Sequence, residues 1–324
     1  MTETSDVADI TRQALSLWGF SNAEATLVAA RENHVFRVDA PDGRTLALRL
    51  HRPGLRSPAE LRSELQWMKV LADAGMNLPR PIADQTGRLC VLVGETAVDI
   101  VTWLAGTPMG KDGQLSALPD PIAAYRALGQ AMADLHNLSD AWTPPADFTR
   151  PAWDSAGLLG ESPLWGRFWE NPRLSIDQAQ LLTKARHVAS AQLTTLAPSL
   201  DYGLIHADLV PENVLMLGNK VQVIDFDDSG FGFRLFDLAT VLNRALREDN
   251  YASHHAALLA GYNTRHSIDL EALSLFQALR AFTYVGWIVP RLNESGAEAR
   301  CKRFIALACQ MAAGLLGDHA ITGE

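Results

Sequence analysis

The segment His206-Ala207-Asp208-Leu209-Val210-Pro211-Glu212-Asn213, followed by Val223-Ile224-Asp225-Phe226-Asp227, constrains this chain more than any other. The apolar runs Val214-Leu215-Met216-Leu217 and Val221-Gln222-Val223-Ile224 flank Gly218-Asn219, a hairpin turn signal. The segment therefore reads as strand, loop, strand. Its hairpin carries Asn213 at one end and Asp225 at the other, on the same side. One short stretch thus presents a carboxylate, an amide and a second carboxylate. Phosphoryl transfer uses that set. One Asp receives the proton of the attacking hydroxyl, while an Asn and another Asp hold magnesium on the nucleotide phosphates.

The spacing H-x-D-x-x-x-x-N, then an apolar strand ending in Asp, is the catalytic-loop and metal-loop pattern of the kinase fold. Over "GLIHADLVPENVLMLGNKVQVIDFDDSGFGFRLFDLA" the chain resembles the phosphotransferase family of aminoglycoside phosphotransferases, choline kinases, bacterial homoserine kinases and a bacterial stress-response protein kinase. The resemblance is strongest over residues 200–240 and extends more weakly from about residue 24 to the C-terminal helices. It implies an ATP- and magnesium-dependent kinase with an alcohol acceptor. The implied fold is α+β, bilobal and protein-kinase-like. A small antiparallel β-sheet lobe with one main helix (1–104) would bind nucleotide. A larger, mostly helical lobe (105–324) would carry the catalytic hairpin, the metal loop and the acceptor site.

The chain has 324 residues, 48% of them hydrophobic, enough for two modest domains or one bilobal one. A formal charge of −9 argues against a nucleic-acid partner and is compatible with a cationic small-molecule acceptor. Cys90, Cys301 and Cys309 have no C-x-x-C spacing, a pattern of a reducing compartment with no disulfide framework. No signal-peptide pattern follows Met1, and no apolar run approaches the ~20 residues of a membrane span. The expectation is a cytoplasmic protein without a membrane partner. Oligomeric state is not legible.

Val7 to Trp18 reads as an amphipathic helix. Strand-like runs follow at Ala25–Ala30, His34–Val38 and Thr45–Leu50. Ser57-Pro58-Ala59-Glu60 is a capping box with proline at the first helical position, and Gly75 is a stop. Strands at Cys90–Val93 and Val98–Trp103 complete a β-β-β-α-β-β order. Residues 105–110 read as a linker, and residues 140–175 as a long irregular insertion. Helical periodicity covers Ile122–Leu138, Ile176–Thr195, Leu235–Arg247, Tyr251–Tyr262, Leu270–Val289 and Ala297–Leu316.

Asp208 is the candidate catalytic base, and Asn213 and Asp225 are the candidate magnesium ligands, since hard cations take oxygen. By resemblance, His206 and Asp237 support the loop. Arg49 ends the third strand where protein kinases carry Lys, and Glu64 on the capped helix is its expected partner. No G-x-G-x-x-G occurs. "ARENHVFRV" stands in its place, with Arg31, Glu32, Asn33 and His34 at the turn. The adenine hinge is expected at Val101-Thr102-Trp103. Asp227 and Asp228 could support metal or face a cationic acceptor. Arg280, Tyr284, Trp287 and Arg291 share a helical face, where an Arg could hold a carboxylate. Trp153, Trp165, Trp169, Tyr284 and Trp287 either line the acceptor pocket or pack the core.

The leading reading is a kinase for a small amino alcohol or hydroxy amino acid such as homoserine. The alternatives are a protein Ser/Thr kinase of the stress-response type, an aminoglycoside kinase and a pseudokinase. A metal-dependent hydrolase built on His206, Asp208, Asp225 and Asp227 is a further one. The absence of an A-P-E signature disfavours the first, and intact Asp208, Asn213 and Asp225 disfavour the pseudokinase. The kinase-like small lobe disfavours the hydrolase.

Overall fold

Ser57 starts the most legible helix of the chain. In the computed structural model, which describes residues 2–30, 33–111 and 114–322, the Ser57 hydroxyl accepts from the Glu60 N–H at 3.2 Å and Glu60 accepts from the Ser57 N–H at 2.8 Å. This reciprocal cap satisfies two otherwise unpaired donors and is worth about 1 kcal/mol. Gly75, at φ +91°, follows the last turn in a left-handed conformation that glycine adopts without strain.

In chain order the first elements are α1 (Thr2–Leu17), β1 (Glu24–Ala30), β2 (Asn33–Asp39), β3 (Thr45–His51), α2 (Pro58–Asp73), β4 (Pro81–Ile82), β5 (Cys90–Val93), β6 (Thr96–Thr102) and β7 (Thr107–Pro108). Then come β8 (Gly110–Lys111), β9 (Gln114–Leu115), α3 (Pro121–Asp140), β10 (Ala152–Trp153), α4 (Ser155–Leu159), α5 (Ile176–Leu196) and β11 (Tyr202–Ile205). The chain continues through β12 (Val214–Leu217), β13 (Lys220–Val223), β14 (Gly230–Phe233), α6 (Arg234–Ala245), α7 (Tyr251–Asn263), α8 (Leu273–Trp287) and α9 (Ala297–Thr322). Two compact units result. The first takes residues 1–108, 141–150 and 214–227, and the second takes 109–140, 151–213 and 228–324.

The first unit is built on an antiparallel sheet of order β1-β2-β3-β6-β4, with β5 also on β6. Side chains of a strand alternate between faces. On β3, Leu46, Leu48 and Leu50 join Ala14, Leu15, Trp18, Phe36, Val38 and Ile100 in one core. Ala47, Arg49 and His51 therefore occupy the other face, and they too are buried. That is why two charged or titratable groups sit inside a strand that reads as apolar. The β12–β13 hairpin also belongs to this unit, with Val214 opposite Val223 and Leu215 opposite Pro108 of β7.

In the second unit, α3 and α7 pack until their backbones touch. A Cβ on Gly129 would lie 2.1 Å from the Leu258 carbonyl, and one on Gly261 would lie 2.0 Å from the Arg126 carbonyl. Neither position tolerates a side chain without parting the helices. The close crossing brings His136 of α3 to Tyr262 of α7, with Nδ1 2.7 Å from the phenol oxygen.

Several expected boundaries move. Helix α1 begins at Thr2, and the expected linker at 105–110 contributes β7 and β8. The insertion at 140–175 is not irregular throughout. It holds β10 and α4, the latter capped by Asp154, whose carboxylate accepts from the Gly157 N–H at 2.8 Å. Elements of two to five residues are too short to show a period. The second hairpin strand is Lys220–Val223, because a two-residue turn places Leu217 opposite Lys220 and leaves Ile224 outside. Arg31 and Glu32 lie outside the described residues.

Candidate active site

Strand β11 feeds directly into His206, and the next residue, Ala207, stands at φ +65°. A left-handed non-glycine residue costs on the order of 1 kcal/mol and persists only where its surroundings fix it. Here the fixing group is Asp237 of α6, whose carboxylate accepts the N–H groups of His206 at 3.0 Å and Ala207 at 2.7 Å. Asp237 is in turn 3.1 Å from Nε2 of His136. A carboxylate only accepts, so His136 donates through Nε2 and its Nδ1 accepts from the Tyr262 hydroxyl. Burial pushes His136 below the usual histidine range, against the pull of Asp237. Burial would raise Asp237, but the hydrogen bond from His136 and the backbone donors outweigh that and hold it below the carboxylate range. The two residues expected to support the loop thus sit together, His206 wholly buried with its Nδ1 accepting from the Asp208 N–H at 3.3 Å.

Asp208 is held on both oxygens. Oδ2 accepts from the Asn213 amide nitrogen at 3.0 Å, and Oδ1 accepts from Arg280 Nη2 at 2.6 Å. The same Asn213 nitrogen donates to the Asp208 carbonyl at 2.9 Å, which leaves the amide oxygen as the group Asn213 can offer a metal. Arg280 also donates to the Tyr284 hydroxyl at 2.9 Å, and its guanidinium lies 4.3 Å from the centroid of that ring and 4.6 Å from that of Trp165. The side chain of Arg280 is 0% exposed, against 24% for Asp208. The expected stripe on one helical face therefore divides. Arg280 and Tyr284 turn to Asp208, whereas Arg291 lies over Trp287 at 4.1 Å and donates to the Trp287 carbonyl.

The expected aromatics also separate. Trp153 is buried against Phe236, with ring centroids 5.2 Å apart, and is core packing. Trp169 lies under Arg186. Trp165 stays partly exposed and donates to Asp228 Oδ1 at 3.4 Å. Asp227 and Asp228, expected to act as a pair, have different partners. Asp227 Oδ2 accepts from the Asn33 amide nitrogen at 2.5 Å, within the first unit.

Arg49 has the expected partner, Glu64, at 2.9 Å, and a stronger one that sequence reading missed. Its Nε and Nη2 grip the two oxygens of Asp99 at 2.8 and 2.9 Å, directly across β3 and β6. His51 lies 2.5 Å from the same carboxylate. Burial opposes the Arg49 charge, but Asp99 and Glu64 hold its pKa well above the ordinary value. The signal for Asp99 was present: a charge amid Val98, Ile100 and Val101 needs a buried partner. His34 pairs with Leu50 in the β2–β3 register, and Val101 with Ala47. At the expected hinge, the N–H groups of Thr102 and Trp103 donate to the carbonyls of Arg80 and Thr45, and Arg37 lies over the Trp103 ring. Asp225 follows β13 with its side chain exposed and its backbone at φ +67°.

Residues 24–276 match the model of the phosphotransferase enzyme family. A Deinococcus radiodurans protein, named only as uncharacterized, is 32% identical over 89% of this chain and 83% of its own. A homoserine kinase of Rhodopseudomonas palustris is 29% identical, the match spanning 70% of this chain and 66% of that kinase. Among solved structures, a microcompartment-associated aminopropanol kinase superposes with a TM-score of 0.81 at 27% identity, covering 96% of this chain and 98% of its own. An amicoumacin kinase in complex with AMP-PNP and calcium shares the fold, with a TM-score of 0.77 at 18% identity and 96% of each chain covered. With a kinase-like α+β fold and a family match over most of its length, this chain is a member of the phosphotransferase enzyme family.

Proposed function

We propose that the enzyme is an ATP- and magnesium-dependent kinase for a hydroxyl of a small amine or hydroxy amino acid. The observation that carries this reading is the Asp208 carboxylate, fixed by Asn213 on one oxygen and Arg280 on the other yet still open to solvent. So held, Asp208 would accept the hydrogen bond of an acceptor hydroxyl and orient it for in-line attack. Asn213 would offer magnesium its amide oxygen, and Asp225 its exposed carboxylate. Bound magnesium would neutralise charge on the phosphates. Arg49, Asn33, His34, Val101 and Trp103 are the nucleotide-binding set of this reading, whereas Glu64, with no exposed surface, would hold Arg49 in place and not meet the nucleotide itself.

For the acceptor, the Asp228 carboxylate beside Trp165 suits an ammonium group. Arg280 and Tyr284 serve Asp208 instead, because a guanidinium with no exposed surface cannot meet a solute. Relatives named homoserine kinase and a structural neighbour described as an aminopropanol kinase support an acceptor of this class. The test is transfer of the γ-phosphate to a panel of amino alcohols, hydroxy amino acids, sugars and aminoglycosides, with magnesium. Phosphorylation of an amino alcohol or hydroxy amino acid at the highest kcat/KM is expected. Transfer confined to aminoglycosides, sugars or a protein would overturn the acceptor class.

A further inference from the structure

Arg150 belongs to the segment 141–150, which packs in the first unit. It is anchored beside α2, where the Thr149 N–H donates to the Ser63 hydroxyl at 2.9 Å. The Arg150 guanidinium has no exposed surface and reaches in two directions. Nη1 donates to the Glu60 carbonyl at 3.2 Å and to Glu64 Oε2 at 3.4 Å, both on α2. Nη2 donates to the carbonyls of Phe226 at 3.0 Å and Asp227 at 2.7 Å. Between those two residues and β13 lies Asp225, whose positive φ is a strained backbone state that needs support from outside. A second contact reinforces the same joint: the Phe226 ring meets Trp67 of α2 edge-on, with centroids 5.4 Å apart.

We propose that Arg150 is a positioning residue for the metal loop, locking the turn that presents Asp225 onto helix α2. This rests on the reading of Asp225 as a magnesium ligand. The planar fork is essential, because one guanidinium must donate to two carbonyls on one side and to α2 on the other. Glu64 shares its carboxylate between Arg49 through Oε1 and Arg150 through Oε2. The same helix residue thus carries the position of the strand arginine to the metal loop.

The experiment titrates magnesium against phosphate transfer in wild type, Arg150→Ala, Arg150→Lys and Asp225→Asn, after each fold is checked by circular dichroism. Removing groups that hold a metal ligand from behind typically weakens metal use by about 10–100-fold. Arg150→Ala should therefore raise the magnesium concentration for half-maximal activity about tenfold, with the acceptor KM changed less than about twofold. The lysine variant should fall between alanine and wild type. A purely packing role would lower the melting temperature and leave the magnesium midpoint of the folded enzyme where it was, and that result overturns the proposal. If the alanine variant does not fold, a lysine variant with a wild-type magnesium midpoint overturns it equally. Asp225→Asn separates the two readings. Unchanged magnesium dependence there removes the metal ligand itself, whereas a lost dependence there with an unmoved midpoint in the Arg150 variants removes only the clamp.

Discussion

Arg49 and Asp99 face each other across β3 and β6, and the guanidinium grips both carboxylate oxygens at 2.8 and 2.9 Å in a site with almost no solvent. Such a pair is a weak source of stability as a whole, but breaking it leaves a buried charge without its partner. Removing one member of a buried pair typically costs about 3–5 kcal/mol. Arg49→Ala should therefore lower the melting temperature by roughly 10 °C, and Arg49→Lys by less, since lysine keeps the charge but not the fork. An Arg49→Ala protein that melts with wild type would show that the pair carries no such strain.

The base assignment predicts a split between chemistry and nucleotide binding. Asp208→Ala should reduce kcat by about 10²–10⁴-fold while nucleotide affinity stays close to wild type. Asn213→Ala should add a second effect, because its amide both holds Asp208 and offers an oxygen to metal. Its loss should lower kcat and weaken magnesium dependence together. Rapid-quench turnover and nucleotide titration measure both. Most of the activity surviving in Asp208→Ala would remove it as the base.

Arg280 offers a sharper contrast. As the buried partner of Asp208, it should act on kcat, not on acceptor binding. Arg280→Ala is expected to lower kcat about tenfold or more, the scale of a misplaced reacting group, and to leave the acceptor KM nearly unchanged. Acceptor KM rising tenfold at constant kcat would return Arg280 to the acceptor site and argue for a carboxylate on the substrate.

The His136–Asp237 pair makes stability depend on pH. The folded pKa of His136 lies below its ordinary 6.5, so the unfolded chain binds more protons as pH falls through that value. Stability should be full above 6.5 and decline below it towards the lower folded pKa. Asp237 has the same sign in a lower window, its depressed pKa removing stability below 3.8. Urea unfolding between neutral pH and pH 5 should show the midpoint falling. In His136→Gln, that part of the slope should vanish. A wild-type midpoint that rises or stays level on acidification contradicts the buried neutral imidazole.

The amino-acid order by itself determined the loop from His206 to Asn213, the capped helix and the hairpin, because each is encoded by residues a few positions apart. The spacing of His206, Asp208, Asn213 and Asp225 was legible for that reason, as was Glu64 opposite Arg49. Asp237 as the support of the loop was legible only through family resemblance. The tertiary structure alone decided what lies far apart in the chain. Asp99 became the main partner of Arg49 when β6 was laid beside β3 in one register. Arg280 passed from an acceptor-site candidate to the buried partner of Asp208, 72 positions away, because helical periodicity fixes a face but not what covers it. Asp227 and Asp228 parted because they stand in a turn at which the chain leaves the first unit for the second. Arg150 gave no sequence signal at all, since its partners include three backbone carbonyls and a helix carboxylate 86 positions earlier, and carbonyls carry no residue identity for a pattern to find.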